Sequence, residues 1–139
     1  MLNNINKIGT SFLVICFAMF TLHSSSSYAY CGMEDLDKLN IDALKECGYE
    51  GVSWSGLDGQ PISTCLKTKH QVSQQCSGCL SDVAVCAYNQ CTGVRAACGV
   101  LGSSLNTPEC EKCLEDKCGR TFQECAGISI TLLRRHLEL

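Results

Sequence analysis

The chain has 139 residues, thirteen of them cysteine, and its 14 acidic and 11 basic side chains give a formal net charge of −3. This acidic balance, without a basic stripe, argues against a nucleic-acid binder that neutralises phosphates. Twelve cysteines lie between Cys31 and Cys125, an even number and a density typical of a disulfide-rich exported domain.

Residues 1–29 have the pattern of a signal peptide. The segment MLNNINKIGT has one basic and no acidic residue, and the apolar run SFLVICFAMFTL after it is too short to span a bilayer comfortably. Ser27 and Ala29 supply the small side chains that a signal peptidase requires. We therefore expect cleavage after Ala29 and a secreted or periplasmic protein, with an uncleaved anchor as the alternative.

Residues 30–127 have the length of one domain. Large apolar side chains are few in this range, and its aromatic residues are Tyr30, Tyr49, Trp54, Tyr88 and Phe122. Such a chain buries less apolar surface than an ordinary domain of its size, so we expect cross-links to contribute much of its stability.

The segment EDLDKLNIDALKEC predicts an amphipathic helix over about 34–47, with acidic residues in the first turn and Gly48 as its stop. These acidic residues have two interpretations: they bind a cationic partner, or they form a solvated helix face whose first-turn carboxylates interact favourably with the helix dipole. The next segment, GYEGVSWSGLDGQPIS, is rich in glycine and predicts a loop. Trp54 in this loop either contacts a ligand or covers a small core.

A long helix is predicted from Ser63, with Ser63 or Thr64 as its cap, to about Gly99. Glycine interrupts it at two positions, and we expect a kink near CSGC, residues 76–79. The segment GVLGSSLN then predicts a turn.

The segment TPEC begins another helix, with Thr107 as cap and Pro108 at the first helical position. This helix should end near Cys125. The tail over 128–139, ISITLLRRHLEL, is predicted to be a short amphipathic helix that contacts a membrane or a partner, an ordinary final helix of the domain, or a frayed end.

No segment alternates with the period of a strand. The predicted fold is therefore all-α: a small disulfide-rich bundle of three to four helices, in which antiparallel hairpins are joined by up to six disulfides.

The cysteine spacing suggests which pairs form. Six cysteines of the long helix fall within an arc of roughly 140°, and the four of the next helix fall in a similar arc. Antiparallel neighbours have residue numbers with a nearly constant sum, which predicts a ladder between these faces and a second set of bonds to the first helix. The predicted pairs are Cys79–Cys125, Cys86–Cys118, Cys91–Cys113, Cys98–Cys110, Cys47–Cys65 and Cys31–Cys76.

Cys91 and Cys113 fit this ladder least well, because each lies roughly 120° to 140° around its helix from the cysteines of the flanking bonds. A tandem duplication is the rival explanation, because CAYNQCTGVRAAC and CLEDKCGRTFQEC share the spacing C-x4-C-x6-C, and in a duplication each unit is free to close on itself. The spacing also resembles that of helical hairpins with twin cysteine pairs, such as the twin C-x9-C proteins. That resemblance implies a helical hairpin and no function.

Three chemistries compete with structural disulfides. CSGC and CEKC match the C-x2-C motif of thiol-disulfide oxidoreductases, but no strand is predicted before either motif, and the negative charges of Glu109 and Glu111 disfavour a reactive thiolate at Cys110. The same two motifs suggest zinc, although their separation is long, and a thiolate bundle suits copper(I) better. Hydrolysis has little support, because His70 is an exposed helical histidine on this interpretation, without a nucleophile elbow nearby.

We therefore expect an exported, non-catalytic interaction module without a cofactor or metal, whose partner is a protein or a small ligand. Tyr49 and Trp54 in the glycine-rich loop are the expected partner-binding residues. A copper(I)-binding bundle is the first alternative and a thiol-disulfide oxidoreductase the second.

Overall fold

A computed structural model describes residues 31–92, 97–99 and 104–139. The expected signal peptide, its cleavage site and the middle of the predicted turn after Gly99 lie outside these residues. The described elements are α1 (Met33–Asp37), α2 (Ile41–Glu50), β1 (Val52–Ser53), β2 (Gly56–Leu57), α3 (Gly59–His70), α4 (Gln74–Cys91), α5 (Pro108–Leu114), a π-helical turn (Glu115–Gly119), α6 (Arg120–Ala126) and α7 (Ile130–His136). The prediction of a small, disulfide-rich, all-α fold is confirmed.

The first predicted helix is in fact two helices, α1 and α2. The chain is extended at Asn40, whose side-chain oxygen accepts a hydrogen bond from the Ala43 N–H at 2.8 Å and so starts a new helix. The predicted stop at Gly48 is also wrong, because α2 continues to Glu50. Gly51 follows it, at a point where a Cβ would lie 2.5 Å from the carbonyl oxygen of Asp58.

The predicted loop after α2 contains a two-stranded antiparallel hairpin and the beginning of α3. Val52 pairs with Leu57, and Ser53 pairs with Gly56. Helix α3 starts at Gly59, four residues before the predicted cap, because the Asp58 carboxylate accepts from the Gln60 N–H at 2.9 Å. Pro61 is compatible with this first turn, where its missing N–H would have no helical partner.

The predicted long helix is divided into α3 and α4, and the break lies at residues 71–73 rather than near CSGC. Gln71 has a left-handed backbone with φ 56°, which ends α3. Ser73 caps α4 and is fixed from outside, because the Asp35 carboxylate accepts from both its N–H and its hydroxyl at 2.7 Å. Gly78 lies inside α4 without interrupting it.

The last part of the fold begins as the sequence predicts. Thr107 accepts from the Cys110 N–H at 3.3 Å, Pro108 is the first helical residue, and Gly127 ends α6 with φ 73°. The tail then forms α7, which packs against the domain by burying Ile130, Leu133 and Leu137. None of the helices in the described ranges is both long and apolar enough to cross a membrane.

Six disulfides join the helices. The bonded pairs are Cys31–Cys76, Cys47–Cys65, Cys79–Cys125, Cys86–Cys118, Cys91–Cys113 and Cys98–Cys110, with Cα separations of 4.4 to 6.0 Å. These are the pairs of the antiparallel ladder, and the C-x4-C-x6-C units do not close on themselves. Nine of the bonded cysteines lie in the hydrophobic core among aliphatic residues and Phe122, and Cys86, Cys113 and Cys125 pack against it partly buried.

The π-helical turn explains how Cys113, on the second side of the ladder, comes into line with Cys118. On a regular α-helix, Cys113 and Cys118 would lie roughly 140° apart around the axis. The π-helical turn accommodates one extra residue, which removes roughly 100° of this difference. Both cysteines therefore reach partners on α4, with Cα separations of 5.9 and 6.0 Å.

Candidate functional site

The most exposed aromatic side chain of the described residues is Trp54, at the tip of the hairpin. Its side chain is 100% exposed, Tyr49 is 70% exposed and Val52 is 46% exposed. Trp54 therefore does not cover the core. Isolated exposed apolar residues are ordinary, but a fully exposed Trp with two further exposed apolar residues within five positions of it in the chain is characteristic of an interaction surface. We call residues Val52–Leu57 the Trp54 hairpin.

Local contacts hold the base and the turn of the Trp54 hairpin. The Asp58 N–H donates to the Gly51 carbonyl at 2.8 Å, directly behind the two strands. The Ser53 hydroxyl donates to the Gly56 carbonyl at 3.0 Å across the turn. Gly56 has φ 133°, a conformation that favours glycine, and a Cβ there would lie 3.9 Å from the Tyr88 ring on α4.

The two helices that flank the hairpin are clamped together. The disulfide Cys47–Cys65 joins α2 to α3 with a Cα separation of 5.4 Å. Beside it, the Lys69 ammonium donates to Glu46 at 2.9 Å and to Glu50 at 2.5 Å. The hydrogen bond and charge of Lys69 lower the pKa of Glu46, and the hydrogen bonds to Glu50 and Glu46 raise the pKa of Lys69. The clamp positions the intervening hairpin relative to the domain.

An open groove of about 510 Å³ runs along the side of the Trp54 hairpin. Its apolar walls come from Val52 and Leu57 on the hairpin, Pro61 on α3 and Val85 on α4. The carboxylates of Glu50 and Asp58 also line it. The groove is therefore lined by aliphatic side chains together with two acidic residues.

The glycine-rich loop predicted as the binding surface, residues 49–60, contains Glu50 and Asp58, but the sequence assigns neither residue a role, and the predicted surface does not include Val85. Val85 comes from another helix, so only the packing of α4 against the hairpin places it here. Asp58 precedes Pro61 as a helix cap would, and this pattern was the available signal. Tyr49 and Trp54, which the sequence did single out, do not line the groove: Tyr49 lies in α2 and Trp54 in the turn of the hairpin.

A second cluster contains Cys47, Cys65 and His70, whose possible ligand atoms lie within 4.8 Å of one another. The two sulfurs are bonded to each other, so they are not thiolates that could hold a soft metal in this form. His70 is half-buried rather than exposed as expected, with Nε2 3.3 Å from a Glu46 carboxylate oxygen. These contacts make the histidine part of the clamp between α2 and α3.

The C-x2-C motifs do not form local redox pairs. In CSGC, Cys76 is bonded to Cys31 and Cys79 to Cys125. In CEKC, Cys110 is bonded to Cys98 and Cys113 to Cys91. Each motif thus ties its helix to two other segments, whereas a C-x2-C redox centre interconverts a dithiol and a disulfide within the motif.

Comparison of the chain with protein-family models, with curated proteins and with solved structures returned no match.

Proposed function

We propose that this protein is an exported, non-catalytic interaction module that binds a partner protein through the Trp54 hairpin and Tyr49. Six disulfides are typical of an oxidising compartment, which supports secretion or a periplasmic location. The observation that carries the binding role is the full exposure of Trp54 on a hairpin whose base is held by the protein.

Trp and Tyr account for much of the binding energy at protein interfaces, because they bury a large area while few rotatable bonds become fixed. The hairpin offers such an anchor on a backbone that is already ordered, and a preordered binding element loses less entropy on association. Val52 on the same hairpin and Tyr49 near the end of α2 are also exposed and add apolar surface for such a partner.

The test uses the purified protein, immobilised and exposed to the extracellular or periplasmic fraction of its source. Trp54→Ala should abolish retention of the partner, since losing a hot-spot Trp lowers affinity about 30-fold or more. Leu132→Ala is the matched control, because Leu132 is 44% exposed but lies on α7. Retention that is equal for the two variants and the unaltered protein contradicts the proposed function.

A further inference from the structure

The groove along the Trp54 hairpin is lined by both apolar and acidic residues. Val52, Leu57, Pro61 and Val85 provide apolar surface, while Glu50 and Asp58 provide carboxylates. A purely apolar occupant would fill the volume but would take the carboxylates out of water without a partner, which is costly. An anionic occupant would be repelled.

The negative charge of this groove is only partly neutralised. Lys69 is shared between Glu50 and Glu46, so one ammonium faces two carboxylates. Asp58 is exposed and accepts a hydrogen bond from a backbone N–H, and no cationic side chain of the described residues pairs with it. The groove thus retains the charge to bind a cation.

Lysine and arginine side chains match this groove, because each combines an aliphatic stem with a positively charged end. Their aliphatic stems pack along apolar walls while the charged end stays at a polar rim. Glu50 and Asp58 supply that polar rim, next to the apolar side chains of Val52, Leu57, Pro61 and Val85. Neither a metal ion nor a neutral apolar chain uses all of these features.

We infer that the groove binds a lysine or arginine side chain of the partner protein, with its stem on the apolar walls and its charge at Glu50 and Asp58. This inference rests on the proposed function and adds to it the chemistry of the partner: a segment that presents a basic residue next to the surface that receives Trp54.

The experiment follows the fluorescence of Trp54, which reports this surface alone because it is the single Trp of the chain. The probes are octalysine and octaarginine amides, with octaglutamate as the reverse-charge peptide. Both cationic peptides should change the Trp54 emission saturably, and the binding should weaken as salt screens the exposed charges. Octaglutamate should leave the emission unchanged.

Two substitutions remove charge without removing a hydrogen-bond acceptor. Asp58→Asn keeps a side-chain oxygen for the Gln60 N–H and so preserves the cap of α3. Glu50→Gln keeps an oxygen for Lys69. Each should weaken octalysine binding roughly two- to fivefold, the range for an exposed charge pair.

Glu124→Gln is the matched control, because it removes the same charge from an exposed ion pair with Arg120 on α6. Unaltered Trp54 emission with both cationic peptides overturns the inference. Equal weakening by Glu124→Gln and the two groove variants also overturns it, since the attraction would then come from net charge. In either case the proposed function stands if Trp54→Ala still abolishes retention of the partner. If Trp54→Ala leaves retention unchanged, the proposed function itself is contradicted.

Discussion

The domain up to Cys125 and the C-terminal segment 128–139 are held in different ways. Every disulfide of the described residues has both cysteines at or before Cys125, so the domain up to that residue, which we call the body, is cross-linked from Cys31 to Cys125. Helix α7 lies beyond the last cysteine and depends on noncovalent contacts. The body shows how sulfur compensates for a small core, and α7 shows what ordinary packing achieves in the same molecule.

The contacts of α7 are those of a well-docked helix. Ile130, Leu133 and Leu137 are buried against the body. The Glu115 carboxylate accepts from both the N–H and the hydroxyl of Thr131 at 2.7 Å. Buried Arg134 donates to the carbonyl of Leu105, which ties α7 to the turn before α5. The amphipathic pattern of the tail therefore serves packing against the domain itself.

Gly119, at the end of the π-helical turn, leaves space for the Glu115 carboxylate that contacts α7. A Cβ at Gly119 would lie 2.7 Å from the second carboxylate oxygen of Glu115. Glycine at this position leaves the carboxylate its place beside Thr131. The π-helical turn thus contributes to both regions, since it aligns Cys118 for the body and leaves room for the hydrogen bonds of α7.

Reduction of all six disulfides should have the largest effect, because it removes the cross-links of the body. Loss of a native disulfide in a small exported domain costs about 2 to 5 kcal/mol, and even a few such losses exceed a total stability of about 5 to 15 kcal/mol. We expect the far-UV circular dichroism of the reduced, alkylated protein to lose its helical signal, including that of α7, which has nothing else to pack on.

Intact mass checks the starting state of this experiment. The oxidised protein should be about 12 Da lighter than the reduced one, two hydrogens for each of the six bonds. A reduced protein that keeps its helical spectrum would show that packing alone holds the body, and the contrast between the two regions would disappear.

Substitution of Leu133 should affect one region only. Leu133→Ala removes buried apolar volume from α7, at a cost of about 2 to 4 kcal/mol. Because α7 is not cross-linked, we expect this loss to appear as faster amide hydrogen exchange over residues 130–137, with the body unchanged. The neighbouring Leu132→Ala, at a position that faces solvent, should leave exchange in α7 nearly as it was.

Equal exchange in the Leu133→Ala and Leu132→Ala variants would mean that the hydrogen bonds of Thr131 and Arg134 hold α7 without its apolar contacts. Faster exchange throughout the body as well would mean that α7 is part of one cooperative unit with it. Either result would contradict the separation of the two regions.

The sequence predicts the cross-linked body better than it predicts the breaks between helices. The ladder follows from cysteine spacing because antiparallel helices impose a simple relation on residue numbers. The break at 71–73 does not, since the capping residue Ser73 is fixed by Asp35, which is 38 positions away. A helix boundary that depends on a distant carboxylate leaves little local signal.

Like the helix boundaries, the candidate site was only partly predictable from the sequence. A Trp in a glycine-rich loop is visible in the sequence, and the structure settles only that its ring is exposed. The sequence does not predict the hairpin, because each strand is two residues long and too short to show an alternation of apolar and polar residues. The groove also needs Val85 from α4, and that neighbour is known only from the packing.

The smallest expected effect concerns the ion pairs beside Cys47–Cys65, where the body has both a covalent and a noncovalent tie. Lys69 lowers the pKa of Glu46 from its usual value of 4.5 in the folded state. The carboxylate is therefore favoured in the folded protein, and its contribution is complete above about pH 4.5. That contribution is lost as the pH falls through the lowered folded pKa.

Lys69→Met should remove this part of the acid dependence of stability, while the disulfide keeps α2 and α3 together. Denaturant unfolding of both proteins at pH 7 and pH 3 measures it: the difference in unfolding free energy between them should be small at pH 7 and smaller still at pH 3. A difference that grows on acidification would show that the ammonium stabilises the clamp by some means other than the ionised carboxylates.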